Sequence, residues 1–328
     1  MIVDVYLAPD ELDEALRADA YRGLTATPKH LSPTWLYDAH GSDLFEQITR
    51  LPEYFPTRTE FALLRAHAAD IADMSRPEIL VELGSGSSEK TRVLLDALAP
   101  HIHTYVPQDV SEPALRAAVK LLTVEYPDLT VHGVVGDFTA SLEHLPGNAP
   151  SLGSPGSQGR RMIAFLGGTI GNLVPVERAE FLSGLAAILR PGEGLLMGAG
   201  LVTDPDVLIP AYDDAAGVTA EFNRNVLRVL NRKLGADFDV ERFTHRAVWD
   251  AENEWIEMRL EATADMSVRI PALDLEVTFE TGEQMRTEIS AKFRLDGLGR
   301  ELDAAGFTVR HEWVDRHGRF ALFGAVRR

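Results

Sequence analysis

The sequence predicts an α/β protein with a doubly wound, mostly parallel sheet and a second, smaller α+β domain. Strand-like and helix-like segments alternate from residue 75 to 201, and a glycine-rich turn follows the first strand. Beyond residue 201 the hydrophobic period changes to two. Alternating strands and helices favour parallel strands with helices on both faces. A period of two is typical of half-buried antiparallel strands.

The alternating region begins with the strand-like run ILVEL at 79–83 and the helix-like run TRVLLDAL at 91–98. The later segments are HTYVPQDV, EPALRAAVKLLTVEY, LTVHGVVGDF, MIAFLGGTIGNL, VERAEFLSGLAAIL and GEGLLMGAGL. Ser111, followed by acid and proline, predicts a helix start. The glycine-, serine- and proline-rich run at 146–159 lacks periodicity and predicts a surface loop.

The second domain begins with a polar helical stretch, AYDDAAGVTAEFNRNVLRVLNRKL, followed by two segments of period two. The residues that alternate are Ile256, Met258 and Leu260 in WIEMRLEA, and Leu273, Leu275, Val277 and Phe279 in LDLEVTFE. Two strand-like runs around His317 and Gly318 predict a terminal hairpin that adds one reversed strand to the parallel sheet. The predicted boundaries are 59–201 plus 293–328 for the first domain, and 1–58 plus 202–292 for the second.

Composition narrows the possible functions. The chain of 328 residues has 50 acidic and 32 basic residues, a formal net charge of −18. Because phosphate backbones bind mainly lysine and arginine, binding to nucleic acid or an anionic membrane is disfavoured. No cysteine is present, which excludes disulfides and thiolate chemistry. The first residues are acidic, unlike a secretory signal, and no run approaches the ~18 apolar residues of a membrane span. We therefore expect a soluble, cytoplasmic protein.

The glycine loop ELGSGSSEK fits neither of two common nucleotide motifs. A dinucleotide fingerprint has a third small residue where this chain has Glu89, and no G-K-[ST] completes a P-loop. Two acids end later strands, Asp109 and, in VVGDF, Asp137. The first suits a ribose diol and the second an adenine amino group. Taken separately, the glycines could form an ordinary tight turn, and the aspartates could be a helix-capping acid and a turn acid.

Taken together, these features resemble the S-adenosylmethionine site of class I methyltransferases. The segment LRPGEGLLMG before the fifth strand and the terminal hairpin add to this resemblance. It implies a Rossmann-like methyltransferase domain that binds S-adenosylmethionine and releases S-adenosylhomocysteine, with no metal. The Asn/Asp-Pro-Pro-aromatic motif of nucleic-acid amino methyltransferases is not found after the fourth strand.

Four longer segments narrow the resemblance. They are EYFPTRTE at 53–60, FLGGTIGNLVP at 165–175, AYDDAAGVTAEFNRN at 211–225 and TEISAKF at 287–293. These segments closely resemble the histidine-specific Nα-methyltransferase of ergothioneine biosynthesis, over essentially the whole chain. The family trimethylates the α-amino group of L-histidine to give hercynine, the first step of ergothioneine biosynthesis. The second domain is then a substrate-binding domain.

The resemblance also implies the site residues. The cofactor-binding set is Gly84, Ser85, Gly86, Ser87, Lys90, Asp109, Asp137 and Phe138. The substrate-binding set is Tyr37, Phe45, Tyr54, Gly167, Thr169, Asn172, Tyr212, Met258, Glu288 and Ser290. Tyr54 is the candidate catalytic residue, which would orient the reacting amine, while Asn172 and Tyr212 would hold the amino acid's backbone groups. The chain departs from the family pattern at Gly168, where relatives have serine, and in the longer 146–159 loop.

The chemistry of TEISAKF supports this assignment independently. If the segment is extended, Glu288, Ser290 and Lys292 share one face. Neutral imidazole has one donor and one acceptor nitrogen, which a carboxylate and a hydroxyl can bind together. Such a site rejects an apolar ring by up to ~10⁴-fold, because its polar groups would be left unpaired. The alternative is an exposed strand face with ordinary polar residues; similarly, Met258 could be a core residue and Tyr212 a helix start.

Two other functions remain open from the sequence. One is an Nα-methyltransferase for another aromatic amino acid such as tryptophan, although an indole offers only one donor to Glu288. The other is a catalytically silent cofactor-binding module, which would leave Tyr54 and a full substrate pocket unexplained. L-Histidine is the expected partner, with neither nucleic acid nor membrane, and the chain is expected to be a monomer.

Overall fold

The computed structural model describes residues 2–6, 9–86, 88, 90–138, 142, 145 and 159–328. Ser87 and the predicted loop up to residue 158 lie outside these described residues. The chain divides into two compact units. The sheet unit consists of Met1–Leu7, Pro56–Val202 and Phe293–Arg328, and the second unit of Ala8–Phe55 and Thr203–Lys292.

The elements of the sheet unit, numbered along the whole chain, alternate as the sequence predicts. Its strands are β1 (Ile2–Val5), β2 (Ile79–Leu83), β3 (Thr104–Asp109), β4 (Thr130–Val135), β5 (Arg161–Phe165), β6 (Gly194–Gly200), β12 (Phe307–Val314) and β13 (Phe320–Arg327). Its helices are α3 (Pro56–Ser75), α4 (Thr91–Leu98), α5 (Glu112–Glu125), α6 (Pro175–Ile188) and α9 (Leu295–Ala304).

The described strands form one sheet in the order β1-β4-β3-β2-β5-β6-β13-β12. Neighbours from β1 to β6 are parallel, whereas β13 is antiparallel to both β6 and β12. The doubly wound sheet and the hairpin with one reversed strand are therefore confirmed. The first strand differs from the expected boundary: residues 1–58 were assigned to the second domain, but Ile2–Val5 pairs with β4.

Burial explains why the apolar runs form this sheet. All five residues of β2 are buried, as expected for a strand covered by helices on both faces. The helix that follows it, α4, buries Leu94, Leu95 and Leu98, which lie three and four residues apart. These leucines join one hydrophobic cluster with residues of β2 and β5. The core thus fixes the strand ends that carry the predicted cofactor residues.

The second unit combines helices with two small antiparallel sheets. Its helices are α1 (Pro9–Thr25), α2 (Ala39–Ile48), α7 (Pro205–Tyr212) and α8 (Val218–Leu234). Its strands are β7 (Phe243–Asp250), β8 (Trp255–Ala262), β9 (Met266–Ile270), β10 (Leu275–Phe279) and β11 (Gln284–Ala291). One sheet has the order β11-β8-β7 and the other pairs β10 with β9.

Two local predictions for the second unit are wrong. The helical stretch that begins at Ala211 is not continuous, because the chain leaves the helix after Tyr212 and the next helix starts only after Gly217 at φ +76°. Leu273 does not belong to the predicted strand. Pro271–Leu273 forms a 3₁₀ turn that ends in left-handed Asp274, so the strand begins at Leu275.

Within the described residues, no helix combines the length and apolar character that crossing a membrane would require.

Candidate active site

The carboxyl ends of four parallel strands lie at the same edge of the sheet. The strand register places Leu83 beside both Gln108 and Phe165, and Asp109 beside Val135. The turns that follow β2, β3, β4 and β5 therefore meet at this edge. Open α/β sheets bind ligands at such an edge, near the point where the strand order reverses.

The glycine loop follows β2 in a tight turn. Gly84 and Gly86 have φ angles of +69° and +50°, in the left-handed region that favours glycine. The N–H groups of Gly84 and Ser85 donate to Gln108 O at 2.9 and 3.0 Å. Among the described residues other than its chain neighbours, no heavy atom lies within 4 Å of the position that a Cβ on Gly86 would take. The loop is thus attached to β3, while the space beside the Gly86 Cα stays open to a close ligand.

Asp109 links the loop to the helix that follows β3. Its Oδ2 accepts from Gly86 N and its Oδ1 from Ser111 N, both at 2.9 Å. Burial raises the pKa of Asp109, although these backbone hydrogen bonds lower it. Since each carboxylate oxygen can accept more than one hydrogen bond, Asp109 can hold the loop and still accept from a ribose diol. The contact between Asp109 and a ribose remains a prediction.

Several polar atoms near this edge are buried without a hydrogen-bond partner in the described part of the chain. They are Ser85 Oγ and both amide atoms of Gln108. Buried polar groups are normally paired, so these atoms suit a polar ligand or ordered water. Phe138 provides an apolar surface nearby and packs against Phe165, with 5.1 Å between the ring centroids. Asp137, which precedes Phe138, is partly exposed.

The acid of the glycine motif is buried and bonded to side chains of α4 and β3. Glu82 is buried and accepts hydrogen bonds from Thr91 and Tyr105. Burial raises its pKa to about 7, against the lowering effect of those hydrogen bonds. The Tyr105 hydroxyl also contacts Ser88 Oγ at 3.0 Å. Glu82 therefore links β2 to α4, the helix that follows the loop, and to β3 beside it.

Glu60 is a buried acid that the sequence interpretation left without a role. One carboxylate oxygen forms an ion pair with Lys90, and the other accepts from Gly167 N at 2.7 Å. Gly167 and Gly168, at φ +82° and +73°, open the turn that leads into the 3₁₀ helix Thr169–Asn172. Glu60 thus joins predicted cofactor and substrate residues of the sheet unit. EYFPTRTE was the sequence signal, but nothing in it indicates which residues Glu60 contacts.

In the second unit, four predicted residues meet in an aromatic cluster. Tyr37 and Phe45 are 5.6 Å apart between ring centroids, and the distances from Phe45 to Tyr54 and from Tyr54 to Tyr212 are both 6.2 Å. Phe222 of α8 completes the cluster, 5.3 Å from Tyr37 and 6.0 Å from Phe45. Sequence reasoning missed Phe222, although it lies within AYDDAAGVTAEFNRN.

A polar cluster in the same unit brings together Tyr212, Ser290 and Lys292. Tyr212 OH and Ser290 Oγ are 2.8 Å apart, and Lys292 Nζ donates to them at 2.9 and 2.6 Å respectively. All three residues are buried. The predicted extended segment is confirmed from Thr287 to Ala291, where it forms the end of β11, and on this strand Glu288 is opposite Met258 of β8. Met258 is 3% exposed and belongs to the hydrophobic cluster of this unit.

Glu288 is the least satisfied acid of this region. It is 8% exposed, and its Oε2 has no hydrogen-bond partner among the described residues. Burial raises its pKa to about 7, while the positive charge of Lys292 lowers it. A buried oxygen without a partner costs ~1–3 kcal/mol or more, and a ligand donor would relieve that cost. Glu288 is thus suited to accept from a ligand.

A second hydrogen-bond chain fixes the backbone of Tyr212. Asn223 Oδ1 accepts from Thr287, and Asn223 Nδ2 lies 2.8 Å from His245 Nδ1. Because the amide nitrogen donates, Nδ1 accepts and the His245 proton is assigned to Nε2, which donates to Tyr212 O at 2.8 Å. Burial lowers the pKa of His245, which favours this neutral form.

The two units offer different chemistry. The sheet unit provides an open glycine backbone and carboxylates suited to a nucleoside. The second unit provides aromatic rings, a buried acid and a hydroxyl pair suited to a small heteroaromatic amine. Within the described ranges, no group of three or more histidine, aspartate or glutamate side chains is arranged to hold a metal ion.

Comparisons with known proteins agree with these features. A family model described as "Histidine-specific methyltransferase, SAM-dependent" matches residues 16–327. The chain is 53% identical to "Histidine N-alpha-methyltransferase" of Mycolicibacterium smegmatis, over 98% of both chains. It is 50% identical to the protein of that name in Mycobacterium tuberculosis, over 97% of this chain and 96% of the relative. It is also 29% identical to "Ergothioneine biosynthesis protein 1" of Neurospora crassa, over 88% of this chain and 32% of the relative. The predicted family, enzyme class and fold class are confirmed.

Proposed function

The chain belongs to the family of histidine-specific, S-adenosylmethionine-dependent methyltransferases, and from this premise we propose its reaction: three methyl transfers to the α-amino nitrogen of L-histidine. The product is hercynine, and the reaction is the first step of ergothioneine biosynthesis. The observation that carries this proposal is Glu288 Oε2, a buried acceptor that has no hydrogen-bond partner among the described residues and lies on the same strand as Ser290.

This pair of side chains suits an imidazole better than other rings. Imidazole N–H can donate to the Glu288 carboxylate while its second nitrogen accepts from a hydroxyl. A phenyl ring would leave both groups unpaired, and an indole would satisfy only one of them. Since leaving a buried polar group unpaired weakens binding strongly, histidine is the preferred substrate.

The sheet unit is suited to hold the cofactor. A nucleoside carries hydroxyl and amino donors. The hydroxyl groups suit the Asp109 carboxylate and the amino group suits that of Asp137. The open space at Gly86 and the Phe138 ring provide surfaces for the rest of the nucleoside. The buried side-chain atoms of Ser85 and Gln108, which lack a hydrogen-bond partner in the part of the chain that the structure describes, support this fit. When bound, S-adenosylmethionine supplies a methyl group on a positively charged sulfur, which leaves as a neutral thioether. The protein's task is then to position the amine and to control its charge.

The attacking nitrogen must carry a lone pair, so the amine has to be neutral. Tyr54 is our candidate for orienting that amine through its hydroxyl. Its ring lies in the aromatic cluster with Phe45 and Tyr212. Aromatic faces stabilise a cation by ~0.5–2 kcal/mol and need no N–H donor from it. The aromatic cluster can therefore bind the amine at each stage, while methyl groups replace its protons and after its positive charge becomes permanent.

A product assay tests this function directly. Purified protein is incubated with S-adenosylmethionine and, separately, L-histidine, L-tryptophan and L-tyrosine, and the masses of the products are measured. A gain of three methyl groups on histidine alone supports the proposal. Methylation of tryptophan in preference to histidine would reassign the substrate, and no product from any amino acid would contradict catalysis of this class.

A further inference from the structure

Lys292 is a buried cation whose role in the pocket is unassigned. It is 7% exposed, and its Nζ contacts two neutral hydroxyl groups, those of Tyr212 and Ser290. Nζ also lies 4.8 Å from the centroid of the Tyr212 ring, within range of a cation–π interaction. Burying a lysine is costly unless its charge is compensated, so this arrangement calls for a functional reason.

The three polar groups form a closed ring of hydrogen bonds. An ammonium has three donors and no acceptor, so both hydroxyl oxygens accept from Lys292. The Tyr212 and Ser290 hydroxyls also bond each other, which uses one of their two protons. The other hydroxyl proton must then point out of the ring. Because a phenol is a better proton donor than an alcohol, Tyr212 donates to Ser290 and the outward proton belongs to Ser290.

Glu288 offers a ligand a hydrogen-bond acceptor, whereas Ser290 offers it a donor. Glu288 Oε2 is a buried acceptor without a described partner. Burial raises the pKa of Glu288 to about 7 and the positive charge of Lys292 lowers it, so Glu288 gives up its proton when its carboxylate accepts from a ring N–H. A ligand ring in this pocket therefore meets an acceptor at Glu288 and a donor at Ser290. Neutral imidazole has one N–H and one unprotonated nitrogen, and it satisfies both. Imidazolium has two N–H donors, one of which would face the Ser290 proton and the Lys292 charge.

We propose that Lys292 is a positioning and specificity residue: by donating to Ser290 and Tyr212 it fixes the outward hydroxyl proton, so that the pocket selects the neutral imidazole of histidine. Lys292 does not need to touch the substrate for this role. The inference rests on the proposed function, since it concerns the ring that Glu288 and Ser290 bind.

The substitution Lys292→Met removes the obligatory donor while keeping a chain of similar length. Ser290 Oγ then has a free lone pair and can accept from an imidazolium N–H. The pocket of this variant can therefore take imidazolium opposite ionised Glu288. The wild type must instead release the imidazole proton before the ring is bound. The difference between the two proteins is a count of protons, which a loss of packing alone would not produce.

Titratable and charged groups in and near the cluster could also affect the number of protons released when histidine binds. They are Glu288, Lys292 and Tyr212 themselves and, behind the Tyr212 backbone, His245 with its neighbours Asp213, Asp214 and Arg224. His245 is bonded to Asn223 and to the Tyr212 backbone, not to Lys292. Its titration, and that of the histidine α-amino group, is therefore common to the wild type and the variant. The loss of the Glu288 proton is also common to both: because burial raises its pKa to about 7, Glu288 is mostly protonated in both free proteins at pH 6 and loses its proton when it accepts from the ring.

The experiment is calorimetric titration of L-histidine at pH 6, in the presence of S-adenosylhomocysteine. Buffers of different ionisation enthalpy give the number of protons released. At this pH free imidazole, with a reference pKa of about 6.5, is mostly protonated. We expect the wild type to release about one proton more per histidine than Lys292→Met. Lys292→Arg, whose guanidinium also only donates, should restore that release. Lys120→Met, on the exposed face of α5, should match the wild type.

Equal proton release by the wild type and Lys292→Met would overturn the inference, while histidine methylation by the wild type would leave the proposed function intact. A wild type that neither binds nor methylates histidine would overturn both. If Lys292→Met binds no histidine, Lys292→Arg decides: wild-type proton release supports the role of a donating cation, and its loss contradicts it. Binding of S-adenosylhomocysteine by each variant verifies that the protein is folded.

Discussion

Glu60 and Lys90 form an ion pair within the sheet unit, and the Glu60 side chain is fully buried. The second oxygen of the same carboxylate accepts from Gly167 N. One acid therefore connects the N-terminal half of α3, the residue before α4 and the turn after β5. Lys90, predicted to bind the cofactor, has a protein partner of opposite charge. Its contact with the cofactor stays a prediction.

We expect Glu60→Gln to destabilise the sheet unit and weaken cofactor binding. Glutamine can still accept from Gly167 N, but it leaves the Lys90 charge uncompensated. Breaking a buried pair costs ~3–5 kcal/mol; because the Lys90 side chain is 23% exposed, we expect about 1–3 kcal/mol. Thermal unfolding and S-adenosylhomocysteine titration measure these effects. The double variant Glu60→Gln/Lys90→Met should regain part of the lost stability, and a further loss would refute the charge explanation.

Gly86→Ala should weaken S-adenosylhomocysteine binding by at least ~10-fold. Alanine at φ +50° is strained by ~1–2 kcal/mol, and its methyl group lies where a ligand must approach the backbone. Gly318→Ala is the matched control, since Gly318 has φ +67° and also has open space around it. Both variants should lose similar stability, and only Gly86→Ala should lose affinity. Equal affinities in a calorimetric titration would remove Gly86 from the cofactor site.

Tyr54→Phe should lower kcat by ~10²-fold, the smaller end of what a positioned proton-handling group contributes. The ring remains in the aromatic cluster, so the equilibrium affinity for histidine should change by no more than a few-fold. Single-turnover kinetics with histidine measure the methyl-transfer step. Tyr21→Phe, at a 53% exposed position of α1, is the control. An unchanged rate in Tyr54→Phe would show that its hydroxyl does not act on the amine.

The buried Glu288 carboxyl should make stability depend on pH. Its pKa rises from 4.5 to about 7 on folding, mainly through burial. The folded state therefore binds this proton more tightly, and stability falls as pH rises from about 4.5 through 7, by up to ~3 kcal/mol. Without ligand, Glu288→Gln should melt at least ~2 °C above the wild type at pH 8 and close to it at pH 4.5. A constant difference across this range, or one also seen with exposed Glu252→Gln, would contradict the raised pKa.

The sequence predicts the sheet unit well because its signals are local. ILVEL is an apolar run with a glycine turn after it, and it forms β2 with the expected bounds. The first strand is not predicted, because Ile2–Val5 is defined by pairing with β4, more than a hundred residues away. Pairing at that separation leaves no periodic trace in the short strand itself.

The candidate site also combines features that local sequence predicts with contacts that it does not predict. Period two places Glu288, Ser290 and Lys292 on one face, and the structure bonds Lys292 to Ser290. The partners on other elements are not readable from that pattern. Tyr212 reaches Ser290 across 78 residues and Glu60 reaches Gly167 across 107. Such contacts depend on how the elements pack, which short sequence segments do not encode.

The central claim is that Glu288 binds the imidazole of histidine, and equilibrium titration of Glu288→Ala tests it most directly. A hydrogen bond to a charged group contributes ~1.5–3 kcal/mol, so histidine affinity should fall by about 10- to 150-fold. Affinity for S-adenosylhomocysteine, measured in the same samples, should stay within about two-fold of the wild type, as should both affinities in Glu252→Ala. Unchanged histidine affinity, or equal weakening of histidine and S-adenosylhomocysteine, would show that the imidazole is bound elsewhere.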